Sequence, residues 1–193
     1  MNRSPSMRRL QRGGLLIEVL VAIVICAFGL LGFAALQARS TAAEFESYQR
    51  SQALVLLTDI THRINANRVN AGAYVTAGLI GEGAVADCSG LTGAALDLCE
   101  WGNQLRGASE TQGTAKIGAM LNARACIARA AGTTDRYVIS VVWRGTVPTG
   151  APANGCGQGD AAFPREDMRR AVATTVCVAR LKDPAVLPPT PRC

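Results

Sequence analysis

The chain has 193 residues, enough for one domain of ordinary size plus an anchoring segment. Its charged fraction is low, 18%, and its formal net charge is +6. Four of the 20 basic residues (Arg3, Arg8, Arg9 and Arg12) lie in the first 13 positions, leaving 16 basic against 14 acidic residues, a balance that excludes a strongly cationic nucleic-acid-binding domain.

Residues 14–36 form an apolar run of 23 residues with one charge, Glu18. As a helix this run is roughly 34 Å long, enough to cross a hydrocarbon core of about 30 Å. The arginines before it, with only Arg39 following closely, place residues 1–13 in the cytoplasm and everything after Leu36 outside. The run is too long for an ordinary secretory signal, and no small-x-small cleavage site stands cleanly at its end. An isolated carboxylate in lipid costs several kcal/mol or is neutralised, so Glu18 requires a cation. No basic residue is close enough along the run. A cut just before it would create one, a free α-amine about five residues from Glu18.

The stretch "RGGLLIEVLVAI", with a basic leader, glycine, apolar residues and glutamate at fixed spacing, resembles the prepilin cleavage site of type IV pilins and type II secretion pseudopilins. The resemblance implies that a prepilin peptidase cuts between Gly13 and Gly14, methylates the new amine, and leaves Glu18 as the fifth mature residue. A second register, cut after Gly14, would put Glu18 fourth. The family's usual first residue is phenylalanine, and this chain has Gly14. The resemblance also gives Glu18 a role: an ion pair with the N-terminal amine of a neighbouring subunit. It implies an α+β type IV pilin fold, with a long N-terminal helix, its first half spanning the membrane, packed on a small antiparallel sheet.

Helical periodicity continues past the apolar run. Ala53, Leu57, Ile60 and Ile64 recur at spacings of four, three and four. The opposite face is read as Glu44, Glu46, Arg50, Asp59 and Arg63. No proline interrupts residues 14–70. One helix over 14–69 is predicted, about 75–80 Å long, with 14–36 in the membrane. Gly29 and Gly32 are either soft points in it or places of close helix packing.

Residues 70–122 read as a connecting region with a short helix near 94–106, where Ala94, Leu98, Trp101 and Leu105 share a face. The segment "DLCEW" there is similar to minor pilins of the PilV type. Residues 123–182 read as the sheet headgroup, with strands in "RACIARA", "RYVISVVWRG" and "RRAVATTVCVARL". The second alternates Tyr137, Ile139, Val141 and Trp143 with Val138, Ser140, Val142 and Arg144. Residues 183–193, proline-rich, form an extended tail.

Cys26 lies within the apolar run and reads as a small apolar filler. Cys88, Cys99, Cys126, Cys156, Cys177 and Cys193 read as disulfide cysteines of an oxidising compartment, with 15 full pairings open. Cys88 with Cys99 is the most local pair and would brace the short helix. Pilins often close a loop near the C-terminus with a disulfide; by that resemblance Cys156 would join Cys193, leaving Cys126 for Cys177.

No catalytic motif is present, and neither a metal nor a cofactor is expected: His62 is the lone histidine and no CxxC occurs. Asp160, Glu166 and Asp167 with Arg165, Arg169 and Arg170 read as a solvated mixed-charge loop. The resemblance implies a non-enzymatic minor pilin that co-assembles with other minor pilins and the major pilin to prime, modify or cap a type IV pilus. Its further partners would be the prepilin peptidase, the assembly platform machinery and the inner membrane, with the headgroup periplasmic before assembly. Nucleic acid is not expected as a partner. The other functions considered are a type II secretion minor pseudopilin and a filament-tip adhesin or DNA-binding pilin.

Overall fold

The computed structural model describes residues 11–108, 111–113, 115–116 and 119–178. Residues 1–10 of the expected leader 1–13, the tail 183–193 and Cys193 lie outside the described residues. The fold is α+β: a long N-terminal apolar helix and a small three-stranded antiparallel sheet, consistent with the type IV pilin fold. The chain divides into two compact units, Met1–Glu44 and Phe45–Cys193.

Helix α1 (Gln11–Ala66) contributes to both. In the first unit it is long and apolar enough to cross a membrane, and none of its most apolar stretch is buried against protein. Leu15, Leu16, Ile17, Phe28, Leu31 and Phe33 are all exposed there. Such a surface is stable only in lipid or against other apolar helices. Gly29 and Gly32 stay helical, and a Cβ added at either would meet nothing within 4 Å.

In the second unit α1 has one buried stripe. Ala53, Ile60 and Ile64 are fully buried and Leu57 nearly so. Gln49, one turn earlier, extends the stripe and is also fully buried. The helix ends at Ala66, short of position 69, because Asn67 leaves helical dihedrals (φ −105°, ψ 43°). The side chain of Asn67 accepts from Asn70 Nδ2 at 2.9 Å, the local side-chain bonding by which asparagine competes with a helix. A 3-10 turn, Arg68–Tyr74, follows.

Helix α2 (Gly93–Leu105) buries Ala94, Trp101 and Leu105. Trp101 fixes it to α1 by donating Nε1–H to the Leu56 carbonyl at 3.0 Å. Cys88–Cys99 ties the preceding loop to α2. Asn103 reinforces that tie, accepting from Ala86 N at 2.9 Å and donating to Ala86 O at 2.8 Å.

Two short strands, β1 (Thr111–Gln112) and β2 (Ala115–Lys116), pair with each other. The main sheet holds β3 (Arg124–Arg129), β4 (Arg136–Arg144) and β5 (Arg169–Cys177) in the order β3-β4-β5, all antiparallel. Tyr137, Ile139, Val141 and Trp143 share one core with Ala53, Leu57, Ile60, Ile64, Trp101 and Leu105. The alternation is not one-sided, because Ser140 and Val142 are buried as well. The long connection between β4 and β5 covers that second face, where Val142 packs with Cys156 and Phe163.

The pairing of Cys126 overturns one expectation. Cys126 on β3 is joined to Cys156 in the covering connection, not to Cys177, and Cys156 is therefore unavailable to Cys193. The two sulfurs meet because the connection folds back over the sheet, a path that spacing in sequence does not reveal. Cys177 is also disulfide-bonded, and Cys26 is free and exposed.

Candidate assembly site

Glu18 sits in α1 among exposed apolar neighbours and is itself exposed. Among the described residues it has no hydrogen bond or ion pair, so any cation it pairs with is supplied from elsewhere. The Gly13–Gly14 bond lies within α1, with Glu18 one helical turn beyond it.

Two electrostatic anchors, both from its polar face, fasten α1 within the second unit. The first is Glu46. Its Oε1 accepts from Thr146 N at 2.6 Å and from Thr146 Oγ1 at 3.1 Å, and its Oε2 accepts from Arg170 Nε at 3.1 Å. Burial raises the Glu46 pKa, but the Thr146 N–H and the Arg170 guanidinium outweigh it and hold the carboxyl below its ordinary value. Gly145 gives this pair its room. A Cβ there would stand 2.6 Å from Arg170 Cζ and 2.7 Å from Glu46 Oε1.

The second anchor is Arg63. It donates through Nε to Asp59 at 3.1 Å, and through Nη1 to Asp97 at 3.1 Å and Glu100 at 2.7 Å, both on α2. Partial burial opposes its charge, yet the three carboxylates raise its pKa. The Tyr74 hydroxyl donates to Asp97. Burial, then this bond, pushes the tyrosine up to about 12. One arginine thus joins α1 to α2 and, through Asp97, to the 3-10 turn.

The arginines at the start of β5 are not a solvated cluster. Arg169 is 1% exposed. It donates to the carbonyls of Asn154 at 2.7 Å and Cys156 at 2.9 Å, and to Glu166 at 2.7 Å. It therefore holds the covering connection onto the sheet. Arg170 is occupied by Glu46, and Arg165 pairs with Asp167. Asp160 accepts from Ala162 N at 2.7 Å. Arg169 and Arg170 are thus engaged within the fold, while Arg165 is exposed and paired with Asp167.

His62 is exposed, and among the described residues no group of His, Cys, Asp or Glu could hold a metal ion. Sequence reasoning missed Gln49 and the anchoring role of Glu46. The signal for Gln49 was its position four residues before Ala53, on the apolar stripe.

Residues 35–96 match a family model described as Tt1218-like, type IV pilin Tt1218. The match spans less than half of the chain. No curated protein matches the chain, and no solved structure does. The matched segment begins after Glu18, so the motif at residues 12–23 and the family match are separate pointers. The match supports the type IV pilin family, with a structural role in association with pilus components and a membrane-anchored N-terminal helix.

Proposed function

We propose that this protein is a minor pilin that joins other minor pilins and the major pilin to prime, modify or cap a type IV pilus. The observation that carries the reading is Glu18: an exposed carboxylate, unpaired among the described residues, in an apolar helix one turn after a Gly–Gly bond. Cleavage between Gly13 and Gly14 by a prepilin peptidase, followed by N-methylation, gives a mature chain whose amine is a cation. Two such chains packed side by side in the inner membrane can satisfy each other, each glutamate meeting its neighbour's amine. Pairing of opposite charges in a low-dielectric core is strong and position-specific, which suits subunit register. The headgroup, braced by disulfides, is periplasmic before assembly and on the filament afterwards.

The DNA-binding alternative loses support, since Arg169 and Arg170 are engaged within the fold and Arg165 is paired with Asp167. Mass spectrometry of the chain from its native host tests the proposal: loss of residues 1–13 and gain of one methyl group are expected. A Glu18→Ala variant should be inserted and cut normally but be depleted from sheared filaments. An intact N-terminus, or unchanged incorporation of the variant, contradicts the reading.

A further inference from the structure

The sequence holds seven cysteines. Cys26 is free, Cys88 is joined to Cys99, and Cys126 is joined to Cys156. Cys177, the last residue of β5, is disulfide-bonded as well, and Cys193 is the one cysteine of this sequence left to it. In forming that bond the two thiols give up two protons and two electrons to a disulfide oxidant, the class of reagent that closes the other two pairs. The 15 residues from 178 to 192 then make a loop that starts and ends beside Cys177. Fixed at both ends, it can stray from there by no more than about half its extended length, roughly 25 Å.

A cavity of about 530 Å3 opens where this segment leaves the sheet. Its walls include Arg68, Val69 and Ala73 of the 3-10 turn, Arg129 at the end of β3, Asp135 just before β4, and Val178 just after β5. Val178 donates its N–H to the Asp135 carbonyl at 2.8 Å, so the chain enters the segment along the cavity wall. Val69 is 92% exposed, the most exposed large apolar side chain among the described residues. Arg68 and Arg129 are exposed, and neither has an ion pair among the described residues.

We propose that this cavity is the seat of residues 183–189 of the same chain, held in place by a Cys177–Cys193 disulfide. The occupant follows from where the segment starts, how far it can reach and what it carries. Residues 184–189, Pro-Ala-Val-Leu-Pro-Pro, are wholly apolar and can cover Val69. Asp183 is the one side-chain carboxylate between residues 179 and 193, and it falls where the segment would pass Arg68 and Arg129. Three prolines among those residues fix φ in advance, and the disulfide fixes the far end, so little freedom remains to be lost on docking. This seat goes beyond the pilin reading and does not depend on it.

The test uses the full chain, purified from an oxidising compartment in detergent micelles. A protease that cuts before aspartate separates residues 167–182, which carry Cys177, from residues 183–193, which carry Cys193. Mass spectrometry of the denatured, unreduced digest should find the two pieces as one species that reduction splits. The seat is read by photo-crosslinking. Val69→p-benzoylphenylalanine places the reactive group on an exposed side chain of the cavity wall, and irradiation should join it to residues 183–191 of the same chain. The same label at Val147, exposed beyond the other end of β4, should reach that segment at least about tenfold less. Separation of the two pieces without reduction overturns the proposal. So does a label at position 69 that captures nothing, another segment or a second chain, or that does no better than the label at position 147.

Discussion

Glu46 and Arg170 are 124 residues apart in sequence and 3.1 Å apart in the fold. The pair links α1 to the first residues of β5, and Thr146 adds its backbone N–H to the same carboxylate. Both side chains are mostly buried, at 20% and 14% exposure, so solvent screens them less than a surface pair. A hydrogen bond to a charged group contributes about 1.5–3 kcal/mol, and Glu46→Ala should cost an amount in that range. Because the carboxyl is held below its ordinary 4.5, its contribution is present above that value and lost as pH falls through the lower, folded one. Thermal unfolding followed by circular dichroism from pH 6 to pH 3 should show a steeper loss for the wild type than for Glu46→Gln. Parallel curves would remove Glu46 from the account.

Gly145 makes room for that pair rather than supplying an unusual turn. Gly145→Ala should destabilise by about 1–3 kcal/mol, since the added methyl must displace the Arg170 guanidinium. With Glu46 already replaced by Ala, Arg170 is held only by the Asp167 and Val147 carbonyls and the penalty should shrink. A double-mutant cycle on chemical denaturation measures the coupling. Additive effects would mean that the two positions act separately.

Arg63 balances three carboxylates, and removing it leaves Asp59, Asp97 and Glu100 without their shared cation. Arg63→Ala should cost about 2–4 kcal/mol, below the figure for a fully buried pair because Arg63 is 23% exposed. Tyr74 gives the same corner an alkaline signature. Its pKa is raised from 10.0 to about 12, so its contribution is intact below pH 10 and lost as pH rises through about 12. Tyr74→Phe should flatten the fall in melting temperature between those values. An unchanged slope would mean that the hydroxyl contributes nothing.

The parts of this fold legible in the sequence are those set by local periodicity. The stripe Ala53, Leu57, Ile60 and Ile64 follows from helical spacing, as does the buried face of α2 around Trp101. The three sheet strands follow from runs of β-branched and aromatic residues between turn signals. The anchors were not legible, because each joins residues distant in sequence: Glu46 with Arg170, Arg63 with Asp97. A charge on a helix face looks alike in sequence whether it meets water or an arginine. The cover over the second sheet face was hidden for the same reason. A glycine- and proline-rich stretch reads as a surface loop, and only the fold shows Phe163 and Cys156 seated on Val142.

Arg169 tests how that cover is held. Its guanidinium is nearly inaccessible, and its bonds go to three carbonyls of the connection (Pro152, Asn154 and Cys156) and to Glu166. Arg169→Met keeps the bulk of the stem but removes every one of those donors. The carbonyls of Asn154 and Cys156 would then be left without this partner, at about 1–3 kcal/mol for each that stays buried. The connection should loosen between Gly145 and Met168 while the three strands, bonded along their own ladders, remain paired. Limited proteolysis of the full chain should therefore cut the variant within residues 145–168 much faster than the wild type. The Cys126–Cys156 disulfide keeps one point of the connection tethered to β3, so its reduction should accelerate cleavage of the variant further. Equal cleavage of variant and wild type would show that Phe163 and the disulfide hold the cover without Arg169.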